Sequence, residues 1–447
     1  MTITMPDVIA DTDPRLTSFR RFEQDAAQPK WLLNLRKSGL ARFSENGFPT
    51  RAHEDWRFTN VQPIAELPFK PATALPATLP AAKDLERFHF LNTSTTLLVF
   101  VDGHFAPSLS KLPPTQKGVL ITNLKDALTK VPELIESKLG KLSILDANGF
   151  TGLNTAYFED GVFIHVAANT TVDQPVHALF VSTGSEAGTT AQARNLLIAE
   201  TSSRVTYLEN YVSLGNAATL TNAVSEFFAG DNSHVEHVKF QEESTTAFHV
   251  AGLYSESGRD ARVWSHSFAL GARLSRNNIR AKLNGAGLQA VLNGLYLTHD
   301  KQLADHHMFV EHAQPNCESH EYFNGILDDQ SRAVFHGRIF VHQIAQKTDA
   351  KQTNKNLLLS DDAQVNTKPQ LEIYADDVKC THGATVGQMD ESAIFYLRAR
   401  GLPLEIARRM LMHAFAGEII ERVQHAAIRE ELDAIIWDRL EEKLATT

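Results

Sequence analysis

Short apolar runs, separated by glycine, asparagine and aspartate, follow one another from about residue 95 to residue 385. Thr96–Val101 ends at Asp102 and Gly103, and Val162–Val166 and Val176–Ser182 have the same composition. Further on, apolar and polar residues alternate with a period of two, which predicts β-strands. Because no long amphipathic helix separates these runs, a doubly wound α/β fold is excluded. A sandwich, a barrel or a β-solenoid remains.

The number of runs favours a β-solenoid without establishing it. A chain of 447 residues exceeds what one sandwich core usually holds, whereas stacked coils have no such limit. Pairs of asparagine or histidine with glycine, which we expect at the bends, begin at Asn284, Asn293, Asn324 and His336. The repeat is too irregular for periodicity alone to decide between a solenoid and a sandwich.

Helical segments are predicted on both sides of this β region. We interpret residues 1–90 as a helical N-terminal domain with a linker, in which the segment 68–83 is rich in proline and alanine. Residues 91–387 are then the β core, and residues 388–447 are a C-terminal helical domain.

The C-terminal domain carries recognisable helix boundaries. Asp390 is suited to capping a first helix, Gly401 to ending it, and Pro403 to the first turn of the next helix. One apolar stripe then recurs every four residues, at Ala407, Leu411, Phe415, Ile419 and Val423. This stripe either packs on the β region or offers a face to a partner.

Charge and composition exclude several classes of protein. The net charge of −10 argues against nucleic acid as the main partner, because no basic excess would offset phosphate repulsion. No apolar run is long enough to span a membrane, and residues 1–7 do not resemble a signal peptide. The 2 cysteines form no disulfide framework, so we expect a cytoplasmic location.

The most informative motif is Cys380-Thr381-His382, set just before the C-terminal helices. On a strand, residues two apart face the same side, so this thiol and imidazole would point together. They could be half of a metal site that another chain completes, a nucleophile pair, or a buried thiol beside a hydrogen-bonded histidine. A separation of roughly 6.5–7 Å along the strand is poor for direct activation of the thiol. Packing and a half-site both stay open.

Histidines are concentrated in a second region. Of the 19 histidines, 7 fall between His299 and His342, and Cys317 lies among them. Imidazole and thiolate groups suit zinc, iron or copper. The spacing matches no compact zinc-finger pattern, and polar strand faces also carry histidine for hydrogen bonding.

Common catalytic motifs are absent. The sequence has no phosphate-binding GxxxxGK[ST], no GxGxxG between a strand and a helix, no GxSxG and no HExxH. No nucleotide site or hydrolase site of the common kinds is therefore expected on this chain.

The order of the motifs resembles the SufB/SufD family of iron–sulfur cluster assembly scaffolds. The resemblance is most specific in residues 352–388, continues into residues 395–401, and includes the stretches 354–360 and 369–373. Pro49-Thr50-Arg51 and Glu54-Asp55-Trp56 are similar to the family's N-terminal region. Within the family, residues 380–385 are closer to the SufD branch, since SufB members carry an additional cysteine where this chain has residues 370–373.

The resemblance implies a right-handed parallel β-helix flanked by helical domains, working as a non-catalytic scaffold in a complex with SufB and the SufC ATPase. His382 then matches the residue that faces a SufB cysteine at the nascent cluster, and Cys380 is a less secure ligand. No cofactor is expected to stay on this chain alone, and ATP belongs to SufC. An unpaired edge strand also allows a homodimer of the isolated chain.

The resemblance assigns the C-terminal helices to SufC docking. The residues expected to contribute are Arg408, Met410, Leu411, Phe415 and Ile419. The alternative function is a β-helix enzyme acting on an extended polar substrate such as a polysaccharide. The scattered acidic residues and the missing export signal speak against it.

Overall fold

The computed structural model describes residues 13–25, 28–90, 96–146 and 148–444. The segment 1–7, the expected boundary between residues 90 and 91, and residues 445–447 lie wholly or partly outside this range.

β-Strands, most of them paired in parallel, form the central part of the molecule. In chain order they are β1 Lys70–Pro71, β2 Thr96–Val101, β3 His104–Phe105, β4 Val119–Asn123, β5 Val162–Val166, β6 Val176–Ser182, β7 Thr189–Ala191, β8 Arg194–Ala199, β9 Arg204–Ser213, β10 Leu220–Ala229, β11 His234–Glu242, β12 Phe248–Ser257, β13 Arg262–Ala269, β14 Leu274–Leu283, β15 Gln289–Thr298, β16 Leu303–His312, β17 Glu318–Leu327, β18 Arg332–Val341, β19 Asp349–Leu358, β20 Gln364–Ile373 and β21 Lys379–Gly387.

Helices lie before, within and after the strands. They are α1 Pro14–Thr17, α2 Arg20–Gln24, α3 Lys30–Asn46, α4 Gln62–Ala65, α5 Ala82–Leu85, α6 Leu124–Lys130, α7 Pro132–Lys138, α8 Gly149–Tyr157, α9 Glu391–Ala399, α10 Leu404–Ile420 and α11 Ala426–Leu444. Short 3₁₀ turns occur at Glu54–Trp56, Glu86–Phe88, Pro107–Leu109 and Ser143–Leu145.

The strands wind into a β-solenoid of about eight turns. Alternate strands belong to an 11-stranded and a 10-stranded sheet, so each coil adds one strand to each face. From β14 to β16 to β18 the register partners are Leu274, Leu303 and Arg332, which are 29 residues apart at each step. The predicted solenoid is therefore confirmed, and the sandwich and barrel are excluded.

The core lies between the two sheets. Ile279, Ala281 and Leu283 on β14 all face inward and are buried, as their alternation with polar residues predicts. Successive coils stack such residues into one continuous apolar column. Stacking of this kind gives a long chain a narrow core instead of one large one.

The prediction of a bend is wrong at three of the four positions. Gly294, Gly325 and Gly337 lie inside β15, β17 and β18, and Asn284 alone precedes a turn as expected. A Cβ atom on Gly325 would lie 2.0 Å from Cε2 of Tyr296. These glycines make room for inward side chains of adjacent strands.

Helices α6, α7 and α8 interrupt the strands between β4 and β5, where the sequence gives no clear helical period. Leu124, Ile135 and Phe158 of this region form a buried cluster with residues of β5 and β8. The α3 and α8 helices touch closely, since a Cβ atom on Gly39 would lie 2.8 Å from the backbone of α8. The linker segment is also attached to the β region, because its short strand β1 pairs with β7.

The C-terminal helices pack on the outer face of the 10-stranded sheet. Buried residues of α10 and α11, such as Ile419 and Leu432, form one cluster with Phe240 and Leu295 of the strands. Asp390 caps α9 as predicted, its side chain accepting a hydrogen bond from the Ser392 N–H. None of the helices among the described residues is both long enough and apolar enough to cross a membrane.

Candidate functional site at the open end of the β-helix

The last coil of the solenoid is not covered by another coil. Strands β20 and β21 end their sheets, and in the described part of the chain no strand pairs with their outer edges. Almost every residue of β21 is exposed, whereas the strands of the middle coils are mostly buried. A Cβ atom added at Gly383 would meet nothing within 4 Å. This end therefore offers both free backbone groups and open side chains.

Cys380 and His382 lie on β21, opposite Ala350 and Gln352 of β19. Cys380 packs against the small apolar cluster of the last coils, which includes Ile339 and Ala350. Its side chain therefore faces the interior of the final coil. His382, two residues later, faces the same side and is exposed, because no further coil covers it.

The two side chains differ in their readiness to bind a metal. Burial, together with the nearby Asp349 carboxylate, raises the pKa of the Cys380 thiol above its usual value. The thiol is therefore protonated at neutral pH, although the thiolate is the form that binds metals. His382 has the exposure that a ligand shared with another chain requires.

A polar column leads inward from His382. Its register partner Gln352 is buried and donates from Nε2 to Oε2 of Glu321, at 2.5 Å on β17. Burial raises the pKa of Glu321 to about 8, so this carboxyl is mostly protonated at neutral pH. Sequence reasoning missed both residues. Their spacing from His382, about one coil for Gln352 and two coils for Glu321, is the signal that could have found them.

The histidine-rich region does not gather into one site. Cys317 is buried in the apolar core with Sγ 3.1 Å from the Gly285 carbonyl oxygen. Among the described residues, two groups of three potential ligands lie close together, and neither includes Cys317. They are Asp55 with His307 and His336, and His299 with Asp300 and Asp329.

The residues expected to dock SufC have different environments. Met410 is exposed, Arg408, Leu411 and Phe415 are half-buried, and Ile419 is 1% exposed within the chain's own core. Ile419 therefore stabilises the helices where they pack on the sheet.

The sequence did not indicate that α9 carries exposed aromatic side chains. Phe395 and Tyr396 are 74% and 56% exposed, and on α10 Ile406 accompanies Met410. These four residues form what we call the α9–α10 apolar surface. Single exposed apolar residues are common, but here four lie on two successive helices.

Comparison with known proteins agrees with this geometry. The core domain of SufBD proteins of the SUF system of iron–sulfur cluster assembly matches residues 180–415, and the N-terminal region of SufBD proteins matches residues 19–178. The chain belongs to the SufBD family. The resemblance seen in the motifs is therefore confirmed.

Relatives in this family match along most of their length. The chain is 33% identical to the iron–sulfur cluster assembly protein SufD of Escherichia coli, covering 90% of this chain and 91% of that protein. It is 32% identical to a SufBD family protein of Synechocystis, with 90% and 89% covered. SufD of Bacillus subtilis is 27% identical, with 93% and 96% covered. Membership indicates a role in iron–sulfur cluster assembly and disfavours a polysaccharide enzyme.

Proposed function

We propose that this chain is a non-catalytic scaffold subunit of an iron–sulfur assembly complex, in which the open end of the β-helix meets a SufB-type partner. The observation that supports it best is the uncovered last coil, with His382 exposed at its rim. The family role in cluster assembly supports the use of this end as the assembly junction. The nascent cluster is then the cargo of the complex and not a resident cofactor of this chain. We place the complex in the cytoplasm as part of this proposal.

The partner would continue the two sheets. An exposed edge of backbone N–H and C=O groups binds another strand by β-augmentation, as many peptide-binding sheets do. Val386 and Tyr374, which are 49% and 60% exposed, would be covered by such a partner. A homodimer through the same edge is the competing assembly for the isolated chain.

His382 would act at this junction as a ligand of the nascent cluster or as a proton acceptor. A cluster needs thiolate or imidazole ligands, and one imidazole cannot hold it alone. The remaining ligands would therefore come from the partner. Cys380 ranks second, because its thiol is half-buried and protonated.

A SufC-type ATPase would dock on the α9–α10 apolar surface. Phe395 and Met410 are exposed there, and the buried helix residues hold this surface against the β-helix. Arg409 is not part of it, since its guanidinium lies 2.8 Å from the Trp437 carbonyl oxygen and is 4% exposed. ATP hydrolysis would then change the geometry of the partner junction.

The decisive experiment replaces His382 by alanine in a cell that depends on this system. We expect normal expression and complex formation but loss of cluster transfer to a reporter iron–sulfur enzyme, because a ligand is missing. Thr381→Ala, on the other face of the same strand, is the matched control and should remain active. Full maturation with His382→Ala would remove this residue from the mechanism.

A further inference from the structure

A cleft of about 590 Å³ separates the N-terminal segment from the outer face of the 11-stranded sheet. The 3₁₀ turn Glu54–Trp56 forms one wall, and outward residues of β14, β16 and β18 form the other. This cleft lies on a sheet face, away from the exposed rim that carries Cys380 and His382. The proposed function therefore does not use it.

Two imidazoles and one carboxylate converge in this cleft. His307 and His336 are register partners on β16 and β18, and their Nδ1 atoms lie 3.2 Å apart. Asp55 places Oδ1 3.8 Å from Nδ1 of His336. One potential ligand atom from each of the three residues lies within 4.8 Å of the other two.

The distance between the two nitrogens fits a shared metal ion. With metal–nitrogen bonds of about 2.0–2.1 Å, two imidazoles on a tetrahedral ion lie roughly 3.3 Å apart. The observed separation of 3.2 Å is close to this value. Asp55 needs a shift of only about half an ångström relative to His336, which its exposed side chain can make.

A buried carboxylate lies close to the other ring nitrogen of His307. Nε2 of His307 lies 3.4 Å from Oδ1 of Asp305, which is fully buried. Asp305 is itself held by Arg276, at 2.6 Å, and by the Thr59 hydroxyl. A carboxylate behind one nitrogen of a histidine leaves the other nitrogen free to bind a metal, and this pairing recurs in metal sites.

The carboxylate is carried by a turn that is fixed to the sheet. The Trp56 ring stacks on the Arg276 guanidinium at 3.6 Å, and Arg276 also donates to the Asp55 carbonyl oxygen at 2.8 Å. Lys368 pairs with Glu54 beside it. The backbone of Asp55 is thus held in place, while its side chain remains 68% exposed at the open side of the cleft.

We propose that Asp55, His307 and His336 bind one divalent first-row transition-metal ion, such as Zn²⁺ or Fe²⁺, which joins the N-terminal segment to the β-helix. Two histidines and one carboxylate with open positions are the ligand set that both ions accept. The open positions face the cleft, where water or a small anionic ligand can complete the coordination. The site is independent of the proposed cluster junction.

Metal binding to the purified, untagged full-length chain tests this proposal. The background carries Cys380→Ala and His382→Ala, so that the open end contributes no ligands. Zn²⁺ is titrated by calorimetry, and Co²⁺ is added separately because its visible absorption reports nitrogen and oxygen ligands. We expect one equivalent of Zn²⁺, with affinity at least about tenfold weaker in Asp55→Asn, His307→Gln and His336→Gln.

The control and the thermal readout separate binding from folding. His342→Gln removes another histidine–carboxylate pair, 2.8 Å from Glu311 on the same sheet, and should bind normally. Asp55→Asn changes an exposed side chain, so it should fold normally, yet its melting temperature should rise less with Zn²⁺ than that of the parent. No stoichiometric binding in the parent, or equal binding after either histidine is replaced, would overturn the proposal.

Discussion

Glu321 illustrates how stacking changes the chemistry of a single residue. It lies on the inward face of a coil, where neither water nor a cation compensates a negative charge, and its pKa rises to about 8 for that reason. From sequence alone, a glutamate in an alternating strand is expected on the solvent side. Its hydrogen bond with Gln352, and the register that places both residues in line with His382, are visible only once the coils are aligned.

Replacing Glu321 by glutamine should flatten the pH dependence of stability. The folded pKa lies above the unfolded value of 4.5, so stability from this group is lost as the pH rises from about 4.5 to about 8. The difference in free energy of unfolding between Glu321→Gln and the parent should therefore shift in favour of the variant as the pH rises from 5 to 8. The expected shift is on the order of 4 kcal/mol. Urea unfolding at several pH values measures this gain.

The exposed Glu318, on the same strand, is the control for this change. Glu318→Gln should leave the pH slope as it is in the parent. If the free energy of unfolding changed with pH equally in the parent and in Glu321→Gln, the carboxyl of Glu321 would be ionised in the folded chain.

Glycine positions were the weakest part of the residue-level prediction. Asn-Gly pairs usually mark turns, but here the absence of a Cβ atom serves packing inside strands. The sequence alone could not distinguish a turn glycine from a packing glycine, because it does not show which side chain lies against the glycine in the folded chain. The same-side placement of Cys380 and His382, in contrast, needed only the period of a strand.

Gly325→Ala should destabilise the chain, by about 1–3 kcal/mol, because the new methyl group would overlap the ring of Tyr296. Gly383→Ala is a matched change in a strand where the methyl group meets open space. Thermal unfolding of both variants compares them directly. Equal melting temperatures for the two would mean that the coils adjust to the methyl group without cost.

At the scale of elements, the bends are marked by residues with positive φ that recur about once per coil, and not by the Asn-Gly pairs. Asn232, Asp260, Gly287 and Asn316 all have positive φ and lie about one coil apart. The N–H of each donates to a backbone carbonyl of the next coil, as Asn232 does to Arg259 at 2.7 Å. Asparagine and aspartate tolerate this conformation better than most residues. Asx residues and glycine at 27–29-residue spacing therefore carry the repeat signal.

The C-terminal helices were predictable in a way that the inserted ones were not. The stripe on α10 has a clear period, and Asp390 and Gly401 mark the ends of α9. In contrast, α8 is buried at every position and shows no polar face. A helix buried all round has no amphipathic pattern to detect.

Docking on the α9–α10 apolar surface predicts a specific loss of binding. Phe395→Glu and Met410→Glu should each reduce co-purification of the ATPase at least about tenfold, because a charge would be buried at the interface. Ala434→Glu places the same charge on an exposed position of α11 and is the control. Undiminished co-purification with both surface variants would exclude this surface.

Across the whole molecule, packing is uneven from one end to the other. Middle strands such as β12 have neighbours on both sides, whereas β20 and β21 are the end strands of their sheets. In a stacked fold each coil is stabilised chiefly by its neighbours, so a terminal coil lacks half of these interactions.

Hydrogen exchange should show this gradient. Amides of β20 and β21 should exchange at least about 100-fold faster than those of β12 and β14 in the isolated chain, because local opening there costs less free energy. Addition of a SufB-type partner should slow exchange in β21 and leave the middle coils unchanged. Uniform protection along the solenoid, or protection of β12 instead of β21, would contradict the proposed junction.

The two ends of the solenoid are also built differently, and this limits how copies can associate. At the N-terminal end the chain reverses into the short antiparallel strands β3 and β4, whereas the other end presents the long strands β20 and β21, whose outer edges pair with no strand in the described part of the chain. If only these long edges pair with another chain, each copy joins one other such end. Sheet pairing then stops at two chains, and a fold that could grow into a fibre is restricted to closed, countable assemblies.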